Sequence, residues 1–125
     1  MDFWSLALAI VLGLGLGLIM MRNQGVDFSK ISVLKRNDFL DNMRKGQLID
    51  VRKKAQYEED KIKGARNFTT RQLTAKISKL RKDQTVYLYC QNGRRSKRVA
   101  RSLMRKKYHQ VYVLEGGFDS YNNPK

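Results

Sequence analysis

The stretch "YLYCQNGRRSKR", residues 87–98, changes character at its fourth residue. Tyr87, Leu88 and Tyr89 continue an apolar, aromatic and β-branched run that begins at Thr85, whereas every residue from Gln91 to Arg98 is polar, charged or glycine. The first half has the composition of a buried strand. Beyond it, Val99, Ala100, Leu103 and Met104 recur at helical spacing, while Lys97, Arg98, Arg101, Arg105 and Lys106 fall mostly on the opposite face. Cys90 therefore closes a strand and precedes a loop that feeds straight into an amphipathic helix. In an open parallel sheet, that is where ligands bind.

The rest of the chain repeats the alternation of short apolar runs with amphipathic stretches, which predicts an α/β fold: a small parallel sheet flanked by helices. Strands are expected at 31–33, 47–51, 85–89 and 111–114, with a brief one near 65–68. Phe39, Leu40 and Met43 mark a helix that stops at Gly46. Leu73, Ile77 and Leu80 mark a second, with Thr69 or Thr70 as its N-cap, and Glu115, Gly116 and Gly117 read as a turn before a last short helix.

Ahead of this domain, residues 3–21 carry no charge and would span about 28 Å as a helix, close to one hydrocarbon thickness. Asp2 precedes the run, and Met20, Met21 and Arg22 follow it, which is not the pattern of a cleaved signal peptide. The expected organisation is one transmembrane anchor over 1–22, a polar linker over 23–30 and a single α/β domain over 31–125. Arg22, Lys30, Lys35 and Arg36 all follow the span, so the positive-inside rule predicts a single-pass protein of the cell membrane with its C-terminal domain in the cytoplasm. Gly13 and Gly17 form a small-xxx-small pair, too common in spanning helices to specify pairing.

The whole chain has 125 residues, one Cys and one His, which excludes an internal disulfide and a Cys/His metal cluster. No metal and no cofactor are expected. Twenty-six Lys and Arg against 11 Asp and Glu give a formal charge of +15, which favours anionic partners. Exposed aromatics are not interleaved with the basic residues as base stacking requires, so a solvated face beside anionic lipid is expected rather than a nucleic-acid site.

At the start of the third helix, unpaired N–H groups favour an anion, and a thiolate is one. Cys90 is thus the candidate nucleophile, Gly93 frees the loop backbone, and Arg94 and Arg95 add positive field. Cys90-Gln91-Asn92-Gly93-Arg94-Arg95-Ser96 resembles the C-x-x-G-x-R-S active-site loop of single-domain rhodaneses, the thiosulfate sulfurtransferases, here of a membrane-anchored bacterial type. Two further stretches are similar to that family. "LIDVRKKAQYEEDKIKGARNF", residues 48–68, resembles its strand-Asp-x-Arg segment and Gly-His-Ile-Pro-Gly-Ala-type stretch, with Asp60, Lys61 and Lys63 in place of Gly, His and Pro. "VYVLEGGFDSY", residues 111–121, resembles its closing strand, double glycine and aromatic, with Tyr121 where Trp is frequent.

The resemblance implies that Cys90 takes the outer sulfur of a donor such as thiosulfate, or of a protein persulfide, and passes it to a thiophilic acceptor. Gln91, Asn92, Gly93, Arg94, Arg95 and Ser96 would form the substrate-binding loop. Gln91 and Asn92 would supply amides, Arg95 would hold the donor's anionic end and the loop, and Arg94 would face solvent. Asp50 and Arg52 would brace the loop as structural support, and His109 would be an exposed turn residue. Two alternatives stay open: a cysteine-based phosphatase or arsenate reductase, whose loops are longer, and a non-enzymatic membrane-tethered binding module.

Overall fold

A computed structural model describes residues 2–22, 31–74, 79–108 and 110–123. Its first element, α1 (Phe3–Arg22), is a 20-residue helix with no buried residue, long and apolar enough to cross a membrane. The expected linker, 23–30, lies outside the described residues.

The domain that follows is an α/β unit. Its elements are β1 (Ile31–Leu34), α2 (Arg36–Asn42), β2 (Gln47–Asp50), α3 (Lys54–Glu59), β3 (Arg66–Asn67) and α4 (Thr70–Thr74). Then come β4 (Val86–Tyr89), α5 (Arg94–Arg105), β5 (Val111–Leu114) and α6 (Gly117–Asn122). Each strand pair is joined through helix, so all the pairings are parallel, and the five strands lie in the order β1-β5-β4-β2-β3. β4 is thereby central. The loop that leaves it at Cys90 has the loops after β2 and β5 on either side.

The strands alternate in a way that builds two different layers. Val86 and Leu88 of β4, with Val111 and Val113 of β5, pack under Leu73 of α4 and Val99, Ala100 and Leu103 of α5. Tyr87, Tyr89 and Leu114 point the other way, against Phe39 of α2 and Phe118 of α6. Burial of an aliphatic side chain stabilises by about 1.5–3 kcal/mol. Val99 and Leu103, both fully buried, thus seat α5 firmly and fix where its N-terminus meets Cys90.

The expected strands are all present, each within a residue of its predicted ends. Thr69 proves to be the cap of α4: its Oγ1 accepts the Gln72 N–H while the Gln72 side chain accepts the Thr69 N–H, a reciprocal capping box. Ile77, assigned to that helix from the sequence, and His109 both lie outside the described residues. One helix was not foreseen. α3, with the sequence KAQYEE, buries no residue and so carries no apolar periodicity to read.

Candidate active site

Cys90, 2% exposed, leaves β4 at the base of a cavity of about 400 Å³. Its Sγ accepts the backbone N–H groups of Gly93 at 3.1 Å and Ser96 at 3.3 Å. Both donors favour a negatively charged sulfur. Ser96 Oγ lies 3.4 Å from the same sulfur and 3.1 Å from the Gly93 carbonyl oxygen. The hydroxyl has one proton, so it can donate to the carbonyl while a thiol is present and turn to the sulfur once that is ionised.

The loop keeps this shape for reasons spread over three segments. Gly93 has φ +94°, in the left-handed region that a side chain resists, and a Cβ there would stand 3.3 Å from the Gly116 nitrogen. Beneath the loop, Gly117 approaches so closely that a Cβ would meet the Cys90 carbonyl oxygen at 2.3 Å. That approach lets the first amides of α6 reach the loop: Phe118 N–H donates to the Cys90 carbonyl at 2.7 Å and Asp119 N–H to the Gln91 carbonyl at 3.0 Å. The double glycine therefore clamps the loop from below and does not border the cavity.

Asp50 and Arg52 support the opposite flank. Asp50 is fully buried and Arg52 is 3% exposed. The guanidinium grips the carboxylate through Nε at 3.0 Å and Nη2 at 2.8 Å, and Asp50 Oδ1 also accepts the Arg52 N–H. Two further donors reach outward, Nη1 to the Gln91 side-chain oxygen at 3.3 Å and Nη2 to the Asp60 carbonyl. Phe118 lies under the guanidinium, 4.1 Å from ring centroid to Cζ. Next to the pair, Tyr89 Oη accepts the Ile62 N–H, and burial, reinforced by the Asp50 charge, pushes the tyrosine hydroxyl well above its usual range.

Above Cys90 the cavity walls are polar and cationic. Arg94 and Arg95 both line it, as do Lys53, Gln56 and Arg98. No carboxylate does. Arg94 and Arg95 are both exposed and both line the cavity, and the Arg95 side chain makes no hydrogen bond among the described residues. The amides on sulfur belong to Gly93 and Ser96. Asn92 instead uses its side-chain oxygen to accept the Arg94 N–H at 3.1 Å, and Gln91 bridges Arg52 and Asp119.

Comparison with known proteins agrees with this layout. The family described as "Rhodanese-like domain" matches residues 35–124, which takes in every segment of the site. The chain belongs to the rhodanese-like domain family. An uncharacterised Bacillus subtilis protein, YqhL, is 41% identical over 91 residues, covering 73% of this chain and 72% of that protein. The thiosulfate sulfurtransferase GlpE of Coxiella burnetii is 34% identical over 74 residues, covering 59% of this chain and 69% of its own. A rhodanese-like domain protein from Staphylococcus aureus shares the fold, with a TM-score of 0.66 at 18% identity over 74% of this chain and 93% of that one.

Within this rhodanese-like domain, Lys53, Gln56 and Arg98 are the cavity residues that sequence reasoning missed. Their signal was topological. Lys53 and Gln56 follow the strand that neighbours β4 in a parallel sheet, and Arg98 stands one helical turn beyond Arg95.

Proposed function

We propose that the chain is a membrane-tethered sulfurtransferase that carries sulfane sulfur as a persulfide on Cys90. The observation that supports this reading best is a recessed sulfur with two backbone N–H donors, at the floor of a cavity whose charged walls are all cationic. The Cys90 thiolate attacks the outer sulfur of thiosulfate; the sulfur–sulfur bond breaks and its electron pair leaves with sulfite. The product, Cys90–S–S⁻, carries the charge of the thiolate it replaces. The same amides can therefore stabilise both the empty and the loaded states without a general base. Lys53, Arg94, Arg95 and Arg98 draw in the anionic end of the donor, while Asp50 and Arg52 hold the loop in place.

The apolar helix α1 would fix the domain to the cytoplasmic side of the cell membrane, near its donor or acceptor. A protein persulfide would suit the same loop as a small anion. Phosphate-ester hydrolysis fits less well, since it benefits from an acid to protonate the leaving group and the cavity lining offers no carboxylate.

The test is intact mass spectrometry of the full chain in detergent after incubation with thiosulfate and removal of the excess, beside Cys90→Ser. One added sulfur atom on the wild type alone, released by cyanide, is the expected outcome. A folded protein that gains no sulfur from thiosulfate or from a protein persulfide would reject the proposal.

A further inference from the structure

Arg95 and Arg98 line more than the Cys90 cavity. They also border a second recess of about 280 Å³, which shares Arg52 and Lys53 with the first and is completed by Thr69, Thr70 and Arg71 at the start of α4. The two hollows thus adjoin across one turn of α5. Neither is lined by a carboxylate, and the side chains of Arg71, Arg95 and Arg98 have no acidic partner among the described residues. The Thr70 hydroxyl, at the same place, is buried with no hydrogen-bond partner among the described residues. These three guanidinium groups around one recess with no carboxylate among its lining favour an anionic occupant.

A thiosulfate ion occupying the Cys90 cavity would leave Arg71 untouched. A ligand that engages both recesses needs a sulfur at one end and a group of more than one negative charge at the other. Guanidinium forks match an oxyanion in two places, and a phosphate monoester carries nearly two charges at neutral pH. We infer that the second recess is an anion subsite for the remote phosphate of a low-molecular-weight thiol, which accepts the sulfur held on Cys90. This rests on the sulfur-transfer reading above. In the step, the acceptor thiolate attacks the outer sulfur of Cys90–S–S⁻, the sulfur–sulfur bond breaks, and its electron pair returns to Cys90 as thiolate. The acceptor leaves as its own persulfide, with no net oxidation.

The test uses the full chain in detergent, loaded with thiosulfate and freed of donor, then mixed with mercaptohexyl phosphate or with mercaptohexanol, which differ only in the phosphate. Intact mass follows discharge. The wild type should discharge to the phosphorylated thiol faster by about tenfold, the equivalent of one charge-assisted contact. Arg71→Ala should reduce that preference to less than about twofold while leaving loading by thiosulfate and discharge to mercaptohexanol unchanged. No preference in the wild type, or the same preference in Arg71→Ala, would overturn the subsite. If Cys90 loads from no donor, the sulfur-transfer reading falls by itself, and calorimetric binding to Cys90→Ser decides the subsite. Affinity for mercaptohexyl phosphate that is lost with Arg71→Ala then keeps the subsite; equal or absent affinity removes it.

Discussion

Under α4 and α5, strands β4 and β5 present Val86, Leu88, Val111 and Val113; on the side of α2 and α6, the same strands present Tyr87, Tyr89, Tyr112 and Leu114. Cys90 belongs to the first layer, whereas the Asp50–Arg52 pair is seated against the rings of the second. An aliphatic layer can set the position of α5, and through it the Ser96 amide, by shape alone. A buried ion pair is costly to desolvate, and hydrogen bonds and ring faces around it offset part of that cost, which aliphatic side chains cannot do. Cys90 and the Asp50–Arg52 pair thus stand on opposite sides of one sheet.

If that division holds, the two layers will respond differently to substitution. The largest effect is expected on the aromatic side, where Asp50→Asn leaves the Arg52 charge buried without its carboxylate. Unfolding by urea should show a loss of about 3–5 kcal/mol, with sulfur loading falling as the Gln91 contact loosens. Tyr89→Phe comes next. It strips the Ile62 N–H of its acceptor, for about 1–3 kcal/mol near neutral pH.

The same variant carries a pH signature. Because the folded state holds the Tyr89 hydroxyl above its usual range, the native protein keeps a proton that the unfolded chain gives up near pH 10. That contribution is fully present below about pH 10 and is lost as the pH rises beyond it. Tyr89→Phe should therefore lose less stability than the wild type across that alkaline range. A variant with an unchanged alkaline slope would show that the ring's burial, not its hydroxyl, is what the aromatic layer uses.

The smallest effect belongs to the aliphatic layer. Leu88→Met conserves volume beneath α5 and should cost no more than about 1.5 kcal/mol, with thiosulfate loading intact. A larger loss, or a loss of loading, would mean that this layer too depends on exact side-chain detail, and the contrast between the layers would weaken.

How much of this was legible in the sequence follows the range of the interactions involved. The strands could be read because period-two alternation and β-branched or aromatic content are local, and so could α5, whose basic and apolar faces separate within twelve residues. α3 was invisible because it is short and buries nothing. In the site, Cys90 and its loop stood out through an abrupt change of composition, and Asp50 and Arg52 through the resemblance of their segment to the family's strand-Asp-x-Arg pattern. What could not be read was the partner of each loop group. That Gly117 abuts the Cys90 carbonyl, or that Asp60 caps Arg52 through its carbonyl, depends on contacts between segments far apart in the chain, and backbone groups leave no trace in residue identity. Nor could residue type alone say that Arg95 would line the cavity wall with no side-chain hydrogen bond among the described residues.

The recess that holds Cys90 also governs what its sulfur meets. A disulfide needs two sulfurs about 2 Å apart with their β-carbons within about 4.5 Å. A residue 2% exposed at the base of a cavity cannot come that close to its counterpart in a second copy, because the two rims would collide first. With one cysteine per chain, the folded domain is therefore insulated from oxidative self-coupling by shape alone. Crowding such domains together would leave their thiols separate, and available only to partners slender enough to enter.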